Sequence, residues 1–157
     1  MAGKQDMRTP QWLFELLQKR FAKFTLDAAA SPHDAKCTKF YTKEDDGLAK
    51  PWHSKTFCNP PFKNFGDWIK KGYEESCLGS GKRAVVLVGP TGCSQSWFHK
   101  YARRGLILVP NKRINFCEPD GTPTTGADRD TMIYVFGRAF KNPSYERFQI
   151  FPLTVRR

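Results

Sequence analysis

The run Ala84-Val85-Val86-Leu87-Val88 constrains this chain more than any other stretch. Five apolar residues without polar alternation leave no side for water, so as a strand the segment must be covered on both faces. A strand buried on both faces needs helices above and below it, which places the chain in the α/β class. The rest of the pattern agrees. Thr9-Pro10 reads as a helix start, a hydroxyl cap followed by Pro at the first helical position. Leu13, Leu16, Leu17, Phe21 and Phe24 follow at helical spacing and give an amphipathic helix over residues 10–22. Further strands are expected at 24–26, 39–42, 55–58 and 106–109, and further helices at 64–78 and 94–103. Gly79-Ser80-Gly81 ends the second helix. Residues 113–117, a turn around Asp120-Gly121, and residues 131–136 read as an antiparallel section. The expectation is a three-layer α/β sheet, mostly parallel, with a C-terminal antiparallel part. Such sheets bind ligands at the carboxyl ends of their strands, so the turns after Leu26, Thr42, Cys58 and Val88 are the places to look for chemistry.

Length and charge narrow the partners. A chain of 157 residues suits one domain, without room for a separate large target-recognition domain. Lys and Arg number 26 against 15 Asp and Glu, a net charge of +11 that points to a polyanion: DNA, RNA or an anionic membrane surface. The membrane fails, because the longest apolar runs are strand-length and far short of the ~20 residues of a spanning helix. Residues 1–10 are polar and charged and lack the apolar core of a secretion signal. Five widely spaced cysteines without a Cys-x-x-Cys, and three scattered histidines (His33, His53, His99), form neither a disulfide framework nor a zinc site. The chain therefore reads as reduced, cytoplasmic and metal-free. Gly89-Pro90-Thr91-Gly92-Cys93-Ser94 has the look of a phosphate loop but lacks its Lys, which excludes a nucleoside triphosphatase.

Asn59-Pro60-Pro61-Phe62 carries the most chemical information. Neither proline can donate to a sheet ladder, so the strand before them must stop in a stiff turn. That turn aims the Asn59 amide and the Pro60 carbonyl out of the strand end. Two fixed acceptors suit an exocyclic amino group with its two N–H donors, and the ring of Phe62 offers a flat face to a planar base. Pro-Pro also ends strands in purely structural loops, so the tetrapeptide alone leaves both roles open.

The tetrapeptide resembles the Asp/Asn-Pro-Pro-Tyr/Phe motif of amino-group methyltransferases that use S-adenosylmethionine. The wider order of pieces is similar to the phage-type Dam family of DNA N6-adenine methyltransferases. Those pieces are Thr9-Pro10-Gln11-Trp12-Leu13-Phe14, then Phe24 to Ser31, Phe40-Tyr41-Thr42 with Asp45-Asp46-Gly47-Leu48, Trp52, and Cys58 to Phe62. Val85 to Val88, Trp97-Phe98-His99 and Arg113-Ile114-Asn115-Phe116 continue it, so the resemblance covers roughly residues 9–137. It implies a Rossmann-like methyltransferase fold, S-adenosylmethionine as cofactor, no metal, and double-stranded DNA as partner, in the host cytoplasm if the gene is a phage's. A monomer is compatible with all of this.

The resemblance also assigns roles. Asn59, Pro60, Pro61 and Phe62 are the candidate catalytic group, with a flipped adenine stacked on Phe62. Phe62 departs from the commoner Tyr, which keeps stacking and drops a phenol hydrogen bond. Pro10, Trp12, Asp27, Ala28, Ala29, Asp45, Asp46 and Asn59 are the candidate cofactor residues. Asp27-Ala28-Ala29-Ala30-Ser31 replaces the glycine-rich loop of many methyltransferases. Its small residues still admit a ligand, and Asp27 can accept from an ammonium group, although a turn cap serves equally for Asp27 in isolation. One of Asp45 and Asp46 stands where an acidic residue commonly holds ribose hydroxyls, and a solvated turn is the alternative. For Pro10 and Trp12 the residues alone favour a plain core helix. Lys63, Lys100, Lys112 and Arg113 are the candidate DNA contacts, each also compatible with a solvated face. Other targets for this fold are ribosomal RNA guanine, DNA cytosine N4 and a protein glutamine amide. The basic charge disfavours the last and the Dam-like order of motifs the other two. A catalytically inactive nucleic-acid-binding relative is a further alternative.

Overall fold

The apolar run forms the middle of a sheet. The computed structural model describes residues 7–21, 23–53, 55–79, 83–124, 129–138 and 148–153. Among them, strand β3 (Ala84–Pro90) lies between β2 (Lys55–Cys58) and β5 (Thr131–Gly137). Beyond β2 comes β1 (Leu26–Asp27), and beyond β5 come β4 (Leu106–Pro110) and β6 (Phe148–Phe151). The pairs β1–β2, β2–β3 and β4–β6 are parallel, whereas β5 is antiparallel to both its neighbours.

Side-chain alternation divides the interior in two. Val86 and Val88 join Phe57 and the inner face of helix α1 (Gln11–Phe21), which contributes Leu13, Phe14 and Leu17. Val85 and Leu87 join the opposite cluster with Phe65, Trp68 and Ile69 of helix α2 (Phe65–Cys77) and Phe98 of helix α3 (Ser96–Lys100). Each such fully buried side chain contributes ~1.5–3 kcal/mol of transfer free energy, and the two-sided burial expected of the run is met. No helix among the described residues is long and apolar enough to cross a membrane.

Several boundaries differ from expectation, each for a local reason. Helix α1 starts at Gln11, because the Pro10 carbonyl accepts from the N–H groups of Leu13 (3.1 Å) and Phe14 (3.2 Å). The Thr9 hydroxyl is buried without a partner among the described residues, so the expected hydroxyl cap is not made. Ala22, Ser80, Gly81 and residues 1–6 lie outside the described residues. The strand expected at 24–26 is displaced to Leu26–Asp27, with Phe24 ahead of it in the core, so Asp27 sits within the strand. Residues 39–42 give one parallel bridge, Phe40 beside Asp27, and no strand. The chain is bent away at once by the Asp45 carboxylate, which accepts from the Thr42 N–H (2.9 Å) and hydroxyl (3.0 Å). A 3-10 turn (Phe62–Asn64) leads into α2, and the helix expected at 94–103 divides into α3 and a second 3-10 turn (Ala102–Arg104). The pairing expected between residues 113–117 and 131–136 is overturned. β5 pairs with β3 along its whole length, and Cys117 instead bridges Arg8 and Pro123. Ile133 to Phe136 are all buried, which demands a central strand, whereas Lys112 and Arg113 are exposed.

Candidate active site

Because β1, β2 and β3 are parallel and in register, they end at one edge of the sheet. Asp27 lies opposite Phe57 and Cys58 opposite Leu87, so Asp27-Ala28, Asn59-Pro60 and Pro90-Thr91 emerge side by side. The Ala28 N–H donates to the Phe57 carbonyl at 2.9 Å, carrying the pairing one residue past β1.

Asp27 is 3% exposed. Its carboxylate organises the turn that follows, accepting from the N–H of Ala29 (3.4 Å) and of Lys36 (3.0 Å), one on each oxygen. Burial pushes its carboxyl up to about 6, against the pull of those two N–H groups. The group is thus a cap of its own loop and also a buried anion at the strand end. The 45–48 turn presses on this loop: a Cβ on Gly47 would stand 2.2 Å from the Ala28 carbonyl oxygen and 3.1 Å from the Trp68 ring. Only glycine allows that approach. Asp46 beside it is left-handed, at φ 55°, and its carboxylate accepts from the Leu48 N–H at 3.2 Å. Asp45 and Asp46 are exposed, so the acidic pair and the Asp27 turn share one corner of the molecule. Pro10 is buried ahead of α1, and Trp12 packs against the core cluster under that helix.

The turn after β2 is as stiff as two prolines suggest, with Pro61 extended at φ −56°, ψ 132°. The Asn59 amide is tethered through one end only. Its Nδ2 donates to the Met7 carbonyl at 3.2 Å. Among the described residues nothing donates to its Oδ1 or to the Pro60 carbonyl, so two acceptors stand uncommitted at the strand end. Phe62 is half-buried, its ring edge-on to Phe65 and to Phe116, with centroids 6.3 Å apart in both cases. Phe65 continues a chain of rings through Trp97 (5.0 Å) and Tyr134 (5.5 Å), and the Tyr134 hydroxyl donates to the Pro90 carbonyl at 2.6 Å. The aromatic of the turn therefore rests on a rigid stack fixed to the end of β3.

Neither of the two groups that brace this turn is legible as a site residue from residue type alone. A backbone carbonyl such as that of Met7 leaves no trace in residue identity, while Phe116 was visible only through the resemblance. Lys63, Lys100, Lys112 and Arg113 are exposed, and the last two follow β4 at the same sheet edge. The Arg113 Nε lies 3.0 Å from an Asp130 carboxylate oxygen in an exposed pair. Lys70 and Lys71 pair with Glu74 and Glu75 along α2 and belong to that helix. The His99 Nε2–H donates to the Cys93 carbonyl at 2.7 Å, a loop-capping arrangement. No three His, Cys, Asp or Glu side chains gather around a metal-sized space among the described residues.

Comparison with known proteins gives three findings. The sequence matches the family model described as DNA N-6-adenine-methyltransferase (Dam) over residues 2–154. It is 30% identical over 103 residues to a DNA N-6-adenine-methyltransferase of Escherichia phage T1, covering 64% of this chain and 42% of that protein. It is 36% identical over 62 residues to a putative methyltransferase, YfdM, of Escherichia coli K12, covering 35% of this chain and 68% of that one. The chain thus spans less than half the length of the phage relative.

Proposed function

Since the chain belongs to the Dam family of DNA N-6-adenine-methyltransferases, we propose that it methylates the exocyclic N6 of adenine in double-stranded DNA, with S-adenosylmethionine as donor. The observation that carries this reading is the pair of uncommitted acceptors, Asn59 Oδ1 and the Pro60 carbonyl, beside the Phe62 ring. An amino group has two N–H donors, and this turn offers two acceptors with a flat apolar face next to them. The described β1–β5 arrangement, with apolar clusters on both faces, is compatible with a Rossmann-like three-layer methyltransferase fold in one domain.

The residues present fit the cofactor. A buried carboxylate (Asp27) suits an ammonium group, the small side chains of Ala28 and Ala29 admit a ligand close to the backbone, and Asp45 or Asp46 suits ribose hydroxyls. Gly47 is what lets these two acidic elements meet. S-adenosylmethionine supplies a methyl carbon on a positively charged sulfur. The chain's own work is on the base. Adenine N6 inside a duplex is out of reach, so the base must be turned out of the stack, with Phe62 replacing its neighbours. Asn59 Oδ1 and the Pro60 carbonyl accept the two N6 hydrogens, which withdraws the nitrogen lone pair from the ring. With the donor held by the strand-end residues, that pair would attack the methyl carbon, the C–S electrons would leave on sulfur, and the proton left over on N6 would go to solvent. Positioning and stabilisation of the charge on N6 provide the acceleration.

The test is transfer of labelled methyl groups to unmethylated duplex DNA, followed by mapping of the modified bases, for the parent and Asn59→Ala. Label on adenine N6 in the parent, its loss in Asn59→Ala and largely retained cofactor affinity in that variant are expected, because the cofactor rests mainly on the other strand ends. Label on cytosine, on RNA or on protein glutamine would replace the substrate. Near-normal turnover of Asn59→Ala would remove the role given to the amide.

A further inference from the structure

The segment before α1 reaches across the molecule to the turn after β2. Met7 offers its carbonyl to Asn59 Nδ2 at 3.2 Å. Its neighbour Arg8 is held by a reciprocal pair of backbone bonds to Cys117, N–H to O at 2.8 Å and O to N–H at 2.9 Å. The Arg8 guanidinium adds an ion pair to Asp34 at 3.6 Å. Cys117 belongs to a small hairpin closed by Glu118 N–H to Thr122 O and Thr124 N–H to Phe116 O, and the ring of that same Phe116 meets Phe62. One strap and one hairpin therefore hold both ends of Asn59-Pro60-Pro61-Phe62: the head through Met7, the tail through Phe116.

We propose that the Met7 carbonyl is a positioning group: it fixes which way the Asn59 amide faces and thereby restricts this chain to asparagine at a position where related motifs use asparagine or aspartate. The inference rests on the base-binding role given to Asn59 above. A carbonyl oxygen can only accept. Facing it, an amide turns its Nδ2 inward and must turn its Oδ1 away, toward the site of the base. An ionised carboxylate has no donor, so it would set two acceptors against each other in a half-buried place, at the cost of an unmade hydrogen bond and a misdirected oxygen. A protonated carboxyl restores the pattern, its O–H donating to Met7 and its C=O accepting from N6.

Asn59→Asp is therefore an acid-rescued enzyme. The ionisable groups on the elements that meet position 59 include Arg8 on the strap, Asp27, Asp34, Lys36 and Cys37 on and after β1, Lys55, Cys58 and Lys63 on its own segment, and Cys117, Glu118 and Asp120 on the hairpin. They are common to parent and variant, so the readout is the ratio of the two kcat values at saturating cofactor, taken across pH 5 to 8.5. The ratio should be about a hundredfold or more below one at the alkaline end. It should climb roughly tenfold per pH unit toward the acid end, as expected when only the protonated form works. In the Arg8→Pro background the strap loses the N–H that ties it to Cys117, and the penalty for aspartate should shrink at least tenfold while kcat with Asn59 falls. A ratio independent of pH, or aspartate as active as asparagine at pH 8, overturns the inference. If Asn59→Asp does not fold by thermal melting, Arg8→Pro alone decides: reduced kcat with unchanged cofactor affinity supports the positioning role, and unchanged kcat overturns it. Full activity of Asn59→Ala would instead remove the base-binding reading itself, so the two failures are distinct.

Discussion

Phe62 has two jobs on offer, packing and stacking, and single substitutions separate them. Its ring meets Phe65 and Phe116 edge-on while remaining half-exposed, so part of its face is open to a planar partner. Phe62→Ala should raise the KM for DNA by roughly five- to a hundredfold, because stacking of a base on an aromatic ring is worth ~1–3 kcal/mol. Phe62→Tyr keeps the face and should keep the activity. Should Tyr prove as damaging as Ala in turnover and in melting temperature, the ring is a packing element only. Asp27 makes a pH-dependent prediction. Burial chiefly, opposed by its two backbone donors, raises its carboxyl to about 6 from the usual 3.8. The folded state therefore holds a proton more tightly than the unfolded chain, so this group's favourable contribution is complete below about pH 4 and lost as pH rises through about 6. The loss amounts to roughly 3 kcal/mol, and Asp27→Asn should flatten that part of the stability curve in denaturant titrations. An ammonium group prefers the ionised carboxylate, so cofactor affinity should fall as pH drops below about 6, and binding near pH 6 should release a proton. Asp27→Ala should weaken the cofactor tenfold to a hundredfold, in line with ~1.5–3 kcal/mol for a hydrogen bond to a charged group. Calorimetry with no pH dependence and no loss in Asp27→Ala would return Asp27 to its loop-capping role alone.

At the level of elements, the loop carrying Gly47 links fold to site. A methyl on Gly47 would meet the Ala28 carbonyl oxygen at 2.2 Å, and backbone cannot swing aside as a side-chain tip can. Gly47→Ala should therefore part the 45–48 turn from the 28–30 turn, lowering stability by about 1–3 kcal/mol and weakening cofactor more than DNA. Equal affinity for cofactor in Gly47→Ala and parent would detach that loop from the site. The same loop shows where sequence stops being legible. β3, β4 and α2 were readable because apolar runs and helical spacing state their own burial. The stop after Cys58 was readable because two prolines leave no other choice. What could not be read was pairing between distant segments. Residues 113–117 looked like the partner of 131–136 by proximity in the chain, yet four consecutive buried residues, Ile133 to Phe136, require neighbours on both sides, which β3 and β4 supply. Residues 39–42 had strand character, but the Asp45 carboxylate ends the pairing after one bridge. The site was legible to the same degree: Asn59 to Phe62 announce themselves by residue type, whereas the Met7 carbonyl acts through the backbone.

For the molecule as a whole the question is what a net charge of +11 serves. Part of the basic charge is answered internally, since Lys70, Lys71 and Arg83 pair with glutamates on α2. Lys112 and Arg113 are placed differently, exposed after β4 at the edge where Asn59 and Asp27 emerge. The Arg113–Asp130 pair is more than half exposed on both sides, and such pairs are worth only ~0–1 kcal/mol, so a phosphate can compete for the guanidinium. If the charge binds DNA, affinity should fall steeply with salt, each neutralised phosphate adding about −0.9 to the log–log slope. With about six contacts, passing from low to physiological salt would cost several orders of magnitude for any duplex. Preference for one sequence over another depends on base edges and shape, and should change far less. Lys112→Ala/Arg113→Ala should flatten the slope by up to about 1.8 if both side chains meet phosphates. Asp130→Asn, which removes one carboxylate that competes for Arg113, should strengthen binding at low salt and steepen the slope. The measurement is duplex binding across a salt series with a cofactor analogue present. A flat series for the parent would rule out phosphate-driven association and favour a protein amide as substrate. A parent slope that both variants leave untouched would move the phosphate contacts to Lys63 and Lys100, on the turn beside Phe62 and at the end of α3, where the same pair of substitutions can be repeated.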